Sequence, residues 1–200
     1  MKKLMILSAA FGLMSSVAAA ETIELPTPQV DNGATLYQAL KDRHSVRSYE
    51  NKKIDRQMLS NILWVAYGAN REDGRRTIPT ARNQKNLSVY VTDDEGTFLY
   101  DGEKNTLERV LDKSMLSYFQ TQPFMENVPL VLIYTGSKGD DDYPVMHAGS
   151  AYQNVELYVA TNELGCVVRG LFDRSEVAKA LGLADDQRAI VTQAIGYAKE

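Results

Sequence analysis

Cysteine is nearly absent from this 200-residue chain, whose single thiol is Cys166. One cysteine excludes an intrachain disulfide, so the fold must depend on burial of apolar side chains and on backbone hydrogen bonding. Basic residues are also in the minority: 22 lysines and arginines stand against 26 aspartates and glutamates, a net charge of −4. A mildly acidic surface argues against nucleic acid as the main partner.

Long apolar runs are confined to the beginning of the chain. Lys2 and Lys3 precede an apolar stretch, which ends in the small residues Ala18-Ala19-Ala20. This layout predicts a secretory signal peptide over residues 1–20, because the apolar stretch is short for a membrane anchor and carries small and polar residues. We therefore expect a periplasmic or secreted protein with one mature domain, residues 21–200, and no membrane segment after the signal peptide is removed. Loss of the two lysines makes the net charge of that domain −6.

Several familiar chemical signatures are missing. The chain has no glycine-rich dinucleotide fingerprint, no phosphate-binding P-loop and no serine-hydrolase elbow. Its two histidines, His44 and His147, lack metal-ligand spacing, and the acidic run 140–142 lacks the rest of a calcium loop, so no metal is expected. Cys166 and His147 could form a nucleophile–base pair, but the thiol lies in an apolar segment and is expected to be a small core residue.

Apolar periodicity predicts a mixture of hairpins and helix crossovers, which indicates an α+β layered domain. The helices are expected over residues 35–42, 55–68, 105–117, 143–164 and 175–181, with Asp55 and Ser175 as N-terminal caps and Gly165 just past the end of the long fourth helix. The strands are expected over residues 87–92, 97–101, 129–135 and 189–197, with a short extended segment at 166–169.

A dense set of anion donors lies where the first helix ends, in the run Arg43-His44-Ser45-Val46-Arg47. A planar guanidinium can hold a phosphate through two hydrogen bonds at once. Taken alone, such a run is more typical of solvated charges at a helix end than of a ligand site. Its interpretation depends on other segments of the chain.

Three segments read together resemble the FMN-dependent nitroreductase family. They are residues 39–49 (ALKDRHSVRSY), residues 79–84 (PTARNQ) and residues 148–170, which open with AGSAYQN and close with ELGCVVRG. Residues 194–197 (AIGY) also resemble the last strand of that family, and the order and spacing agree over nearly all of the mature domain. The second segment departs from the family pattern, because no proline follows Gln84. The resemblance implies a central mixed, mostly antiparallel sheet flanked by helices.

The resemblance also implies which residues bind FMN. In the first run the two arginines would hold the phosphate, the serine would face the ribityl chain or ring edge, and the histidine would contribute least. An asparagine would face the polar edge of the ring, and glycine would allow the backbone to approach the reactive N5 closely. The implied set is Arg43, His44, Ser45, Arg47, Asn83, the backbone of Arg169 and Gly170, and Lys199 as the candidate basic residue beyond the last strand.

The function implied by the resemblance is an FMN-dependent oxidoreductase. Hydride would pass through flavin N5 to or from a small organic substrate, such as a nitroaromatic or a quinone, with FMN held between the subunits of a homodimer. NAD(P)H is the usual donor in the family, whereas export separates a protein from the cytoplasmic nicotinamide pool, so the donor is open. Two alternatives are also open: a non-catalytic flavin or small-ligand binding protein with the same fold, and a flavin-dependent dehydrogenase or oxidase of a peptide-derived substrate.

Overall fold

The computed structural model describes residues 21–138 and 142–199. The predicted signal peptide, residues 1–20, and two residues of the acidic run, Asp140 and Asp141, lie outside these ranges. Within the described ranges, no helix combines the length and apolar character needed to cross a membrane.

Seven strands form one sheet. Their bounds are β1 Thr22–Glu24, β2 Leu87–Thr92, β3 Thr97–Asp101, β4 Thr106–Leu111, β5 Leu130–Ser137, β6 Leu164–Arg169 and β7 Gln187–Tyr197. The order across the sheet is β1-β4-β3-β2-β5-β7-β6, and every neighbouring pair is antiparallel. A parallel contact is added by an isolated bridge between Ser45 and Cys166. The predicted α+β class and mostly antiparallel sheet are confirmed.

Four α-helices accompany the sheet: α1 Leu36–Asp42, α2 Arg56–Tyr67, α3 Tyr143–Val159 and α4 Arg174–Ala180. The side chain of Thr35 caps α1, and that of Asp55 caps α2 by accepting from the third backbone N–H beyond it. As predicted, α2 ends at Gly68. The helix α3 packs against α2 and against β5, β6 and β7, so it occupies the middle of the domain.

The central strand β5 is covered on both faces. Leu132 and Tyr134 belong to the larger apolar cluster, which includes α3, whereas Val131 and Ile133 belong to the smaller cluster with Phe119 on the other face. All five side chains are fully buried. This confirms the prediction of a central strand from the continuous apolar run.

The predicted helix over residues 105–117 is wrong. These residues form β4, which pairs with β3 on one side and with β1 on the other, and a 3-10 turn at Leu116–Phe119 follows. Asn105 has a φ of +56° and closes the turn that leads into β4. The apolar spacing of this stretch fits a helix equally well, so pairing with two neighbouring strands decided its conformation.

Gly165 does not end a helix. The helix α3 stops at Val159, and Gly165 lies within β6. A Cβ at Gly165 would lie 2.6 Å from the Cβ of Val46, so glycine is needed for the close approach of the 43–47 segment to β6. The expected cap of α4 was also wrong by two residues, because Asp173 accepts from the backbone N–H of Glu176.

Candidate functional site

The donor-rich segment 43–47 runs extended beside β6. The backbone N–H of Val46 donates to the carbonyl oxygen of Cys166 at 2.9 Å. The hydroxyl of Tyr49 donates to the carbonyl oxygen of Val46 at 2.6 Å. Burial raises the pKa of Tyr49, which keeps its hydroxyl protonated as a donor. Main-chain contacts therefore fix the path of the segment.

Successive side chains of the segment point to different sides. His44 and Val46 line a cavity of about 750 Å³, whereas Ser45 and Arg47 are not among its lining residues. This is the alternation expected of an extended chain. Ser45 and Arg47 thus share a side, and His44 is separated from them.

The two arginines of the segment differ in their electrostatic surroundings. Arg43 Nη1 lies 3.3 Å from Glu156 Oε2, and the Glu156 side chain is only 9% exposed. Arg47 is exposed, and no carboxylate within residues 21–138 and 142–199 lies within ion-pair distance of it. Among these residues the charge of Arg47 is therefore uncompensated, while that of Arg43 is held in place by a nearly buried carboxylate.

The chain returns to this segment after β7. The backbone N–H of Lys199 donates to the carbonyl oxygen of Ser48 at 3.0 Å, and that of Glu50 donates to Tyr197 at the same distance. Lys199 lines the same cavity as His44. The structure therefore brings Lys199 beside the donor-rich segment, on the side of His44.

Arg169 and Gly170 lie where β6 ends. The Arg169 guanidinium is buried and donates to the Phe119 carbonyl oxygen at 3.0 Å and to Thr121 Oγ1 at 2.9 Å. Burial lowers the pKa of Arg169. Its side chain braces the neighbouring turn, while Gly170 is exposed. The expectation for these two residues concerned their backbone, and it stays a prediction.

Asn83 is exposed at the end of a 3-10 turn, Ala81–Asn83, whose backbone is unusual. Arg82, Asn83 and Lys85 have φ values of +53°, +54° and +49°, a left-handed conformation that is uncommon outside glycine. The turn is held by His147, whose Nε2 accepts from the backbone N–H of Ala81 at 2.8 Å. The residues around His147 in the sequence suggest only a metal ligand or a base and give no sign of this role.

The donor-rich segment and the Asn83 turn contact α3 at different levels. Arg43 reaches Glu156 near the end of the helix, and Ala81 reaches His147 near its start. Nine residues of helix span about 13–14 Å. One chain therefore presents these two groups of predicted ligands apart from each other and not in one contact cluster.

The comparison with protein families decides the identity of the fold. The model of the nitroreductase family matches residues 40–197. The chain belongs to the nitroreductase family. This confirms the resemblance seen in the three sequence segments, and membership indicates an oxidoreductase.

Relatives of this nitroreductase-family chain cover most of its length. Putative nitroreductase MJ1384 of Methanocaldococcus jannaschii is 29% identical over an alignment of 185 residues, and the match covers 82% of this chain and 92% of that protein. The crystal structure of a putative nitroreductase from Ralstonia eutropha JMP134 has a TM-score of 0.83 at 31% identity and covers 90% of both chains. A chain of the Escherichia coli microcin synthetase McbBCD complex has a TM-score of 0.71 at 16% identity, covering 99% of this chain and 85% of that one. The last likeness shows a shared fold alone.

The nitroreductase-family match covers most of the predicted ligands. It includes the donor-rich segment, Asn83 and Gly170, but it ends at Tyr197, two residues before Lys199. Cys166 lies within the match yet is buried, and burial raises its thiol pKa to about 12. Its sulfur is 3.4 Å from Gln193 Nε2, so Cys166 is a core residue, as expected.

Proposed function

We propose that this nitroreductase-family protein is an FMN-dependent oxidoreductase that transfers hydride to or from a small organic substrate, such as a nitroaromatic or a quinone. The observation that carries the proposal is the hydrogen bonding of the segment to β6, on which the alternation of an extended chain places Ser45 and Arg47 on the same side. A phosphate dianion is bound best by charged and hydroxyl donors that are already in position. The uncompensated charge of Arg47 supplies the first and Ser45 the second.

The spacing of the donors supports an elongated ligand such as FMN. Bound FMN supplies the hydride chemistry at N5. Arg47 and Ser45 would hold the phosphate end, and Arg43, whose charge is partly neutralised by Glu156, would add a weaker contact. The bridge at Cys166 and the exposed Gly170 are four strand residues apart, which is about 13 Å. This separation suits an elongated ligand with its phosphate at one end and its ring at the other.

The surroundings of Gly170 would tolerate a side chain. A Cβ at this position would meet Arg174 Nη2 at 3.5 Å, an ordinary contact distance. The chain itself therefore does not require glycine here. A ligand that approaches the backbone closely provides a reason for it.

We also propose that the protein is a homodimer formed through the outer face of α1. Leu36, Tyr37 and Leu40 are 64%, 87% and 52% exposed. Exposed apolar residues grouped in this way are typical of protein interfaces. Because α1 leads directly into Arg43, a subunit contact on α1 would lie beside the phosphate end of the ligand, as expected for FMN held between two subunits.

Light scattering after size-exclusion chromatography tests the dimer. We expect the mass of two chains for the wild type and of one chain for Tyr37→Glu, since a buried charge disfavours the interface. The same variant should bind FMN more weakly if the partner completes the site. A monomeric wild type that binds FMN at full affinity would contradict this part of the proposal.

The signal peptide is a separate proposal. Export is supported by Lys2-Lys3, the following apolar stretch and Ala18-Ala19-Ala20. N-terminal sequencing of protein from cell fractions should find Glu21 first outside the cytoplasm. Intact protein that begins at Met1 and stays in the cytoplasm would contradict it and would favour cytoplasmic NAD(P)H as donor.

Anaerobic titration of the FMN-loaded protein tests turnover. Loss of the visible flavin absorbance with NADH or NADPH, followed by its return with a nitroaromatic or quinone, would support the oxidoreductase. Reduction by a peptide-derived substrate would favour the dehydrogenase or oxidase alternative. Bound flavin that exchanges electrons with no donor or acceptor would identify a binding protein, and no affinity for FMN would overturn the proposal.

A further inference from the structure

We propose that His147 is a positioning residue: a neutral imidazole that holds the 80–86 turn in the conformation that presents Asn83 to the flavin ring. The presentation of Asn83 rests on the proposed function, whereas the holding of the turn rests on contacts within the chain. The imidazole is 4% exposed and projects from the second turn of α3. It is thus carried by the most central helix of the domain.

The hydrogen bonds of His147 determine its protonation. Its Nε2 accepts from the backbone N–H of Ala81 at 2.8 Å, so this nitrogen carries no proton. The proton of the neutral ring is then on Nδ1, which lies 2.8 Å from Asn86 Oδ1 and donates to it. Asn86 Nδ2 in turn donates to Gln84 Oε1 at 3.1 Å. Each donor in this series meets an acceptor, which fixes both the tautomer and the orientation of the Asn86 amide.

The two bonds of the imidazole enclose the strained part of the turn. Ala81 precedes the left-handed residues Arg82 and Asn83, and Asn86 follows the left-handed Lys85. A left-handed conformation at such a residue is unfavourable and persists only where the surroundings determine the conformation. His147 supplies that determination from both ends at once.

A third contact supports the same turn from α3. The ring of Tyr143 stacks on the imidazole with the centroids 6.4 Å apart and the planes at 13°. The guanidinium of Arg82 lies 5.9 Å from the centroid of the Tyr143 ring, within the range of a cation–π contact. The first two turns of α3 therefore contact the strained residues directly as well as their flanks.

Two variants of His147 test whether the turn needs the hydrogen-bond acceptor that Nε2 provides. In His147→Gln the side-chain oxygen can take the place of Nε2 and accept from Ala81, whereas His147→Leu can accept nothing. We expect His147→Leu to weaken FMN binding roughly tenfold and His147→Gln to stay within about threefold of the wild type. Hydrogen exchange at the Ala81 amide should be faster in His147→Leu and close to wild type in His147→Gln.

Two controls distinguish positioning from general stability. Val155→Ala removes a fully buried side chain of α3; it should lower the urea midpoint yet leave FMN affinity and Ala81 exchange unchanged. In an Asn83→Ala background, His147→Leu should cause no further loss of FMN affinity, since its effect passes through Asn83. An equal loss in both backgrounds would overturn the positioning role.

The protonation state of the His147 ring can be measured in the protein without bound ligand. Nitrogen NMR of the apoprotein should show a protonated Nδ1 and an unprotonated Nε2 at His147. A proton on Nε2, a charged ring, or a His147→Leu variant that keeps both FMN affinity and Ala81 protection would overturn the inference. If the wild type binds no FMN, the proposed function and the presentation of Asn83 both fail, while the NMR and exchange results still decide whether His147 holds the turn.

Discussion

Arg47→Ala should separate ligand binding from folding. Arg47 is exposed and has no ion pair within the described ranges, so its loss should change the free energy of unfolding by no more than about 0.5 kcal/mol. A hydrogen bond to a charged group contributes about 1.5–3 kcal/mol. At about 1.4 kcal/mol for each factor of ten, FMN should bind roughly 10- to 150-fold more weakly.

Riboflavin, which lacks the phosphate, makes the assay specific. Flavin fluorescence titrations of both ligands should show that Arg47→Ala weakens FMN binding and leaves riboflavin binding nearly unchanged. Added salt should narrow the difference between the ligands in the wild type, because the contact is electrostatic. Arg75→Ala is the matched control, since Arg75 is also an exposed arginine, 59% by its side chain, but lies on another loop. Equal losses for both flavins, or wild-type FMN affinity in Arg47→Ala, would refute the phosphate assignment.

Three further predictions concern neighbours of this site. Glu156→Gln should raise the preference for FMN over riboflavin up to about fivefold by freeing Arg43, since partly exposed ion pairs contribute about 0.2–1 kcal/mol; paired titrations measure it. Gly165→Ala should destabilise the fold by about 1–3 kcal/mol and weaken FMN binding, because its Cβ would displace Val46; urea unfolding and FMN titration measure it. The thiol pKa of Cys166 is about 12 in the folded protein, which exceeds its value in the unfolded chain. The contribution of this thiol to the free energy of unfolding should therefore be fully present below about pH 8.5 and fall by about 1.4 kcal/mol per pH unit above it. Urea midpoints from pH 8 to 11 measure this fall.

Each of these has a contrary result. A Glu156→Gln variant with lower FMN preference would show that the carboxylate orients Arg43 more than it neutralises it. Wild-type FMN affinity in Gly165→Ala would mean that the path of the donor-rich segment does not matter. For the alkaline effect, Cys166→Ala should lose stability less steeply with pH than the wild type; identical slopes would assign the effect to other groups, such as the buried Tyr49 and Tyr134, whose pKa values are also raised by burial.

Local signals predicted the elements whose conformation is decided locally. The cap at Asp55 and the closing Gly68 gave both ends of α2, and the alternation and tight turn around residues 93–96 gave β2 and β3. The prediction of a helix over residues 105–117 was wrong because the apolar spacing of this stretch fits the repeat of a strand as well as that of a helix. Only the neighbouring strands β1 and β3, one of them about 80 residues away, select the extended form.

Some features of the candidate site also follow from local sequence, while others depend on contacts between distant residues. The residue types of the segment 43–47 point to an anion, but their separation onto two sides follows from the contact with β6 and Gly165, which is non-local. The role of His147 could not be read from its position in the sequence either, since Ala81 is 66 residues away. A histidine four residues before the buried Ala151 on the same helix predicts burial. What the histidine contacts there depends on how the turn packs against α3.

The pairing of Ser48 with Lys199 has a consequence for folding kinetics. It joins residues 151 positions apart, and contacts of such sequence separation form late because a long loop must close first. The segment that carries Ser45 and Arg47 is therefore expected to be among the last parts of the chain to reach its final place. During refolding, the fluorescence change of Trp64 reports the packing of α2. Flavin binding should occur after this change, and its rate should therefore report the final step of folding.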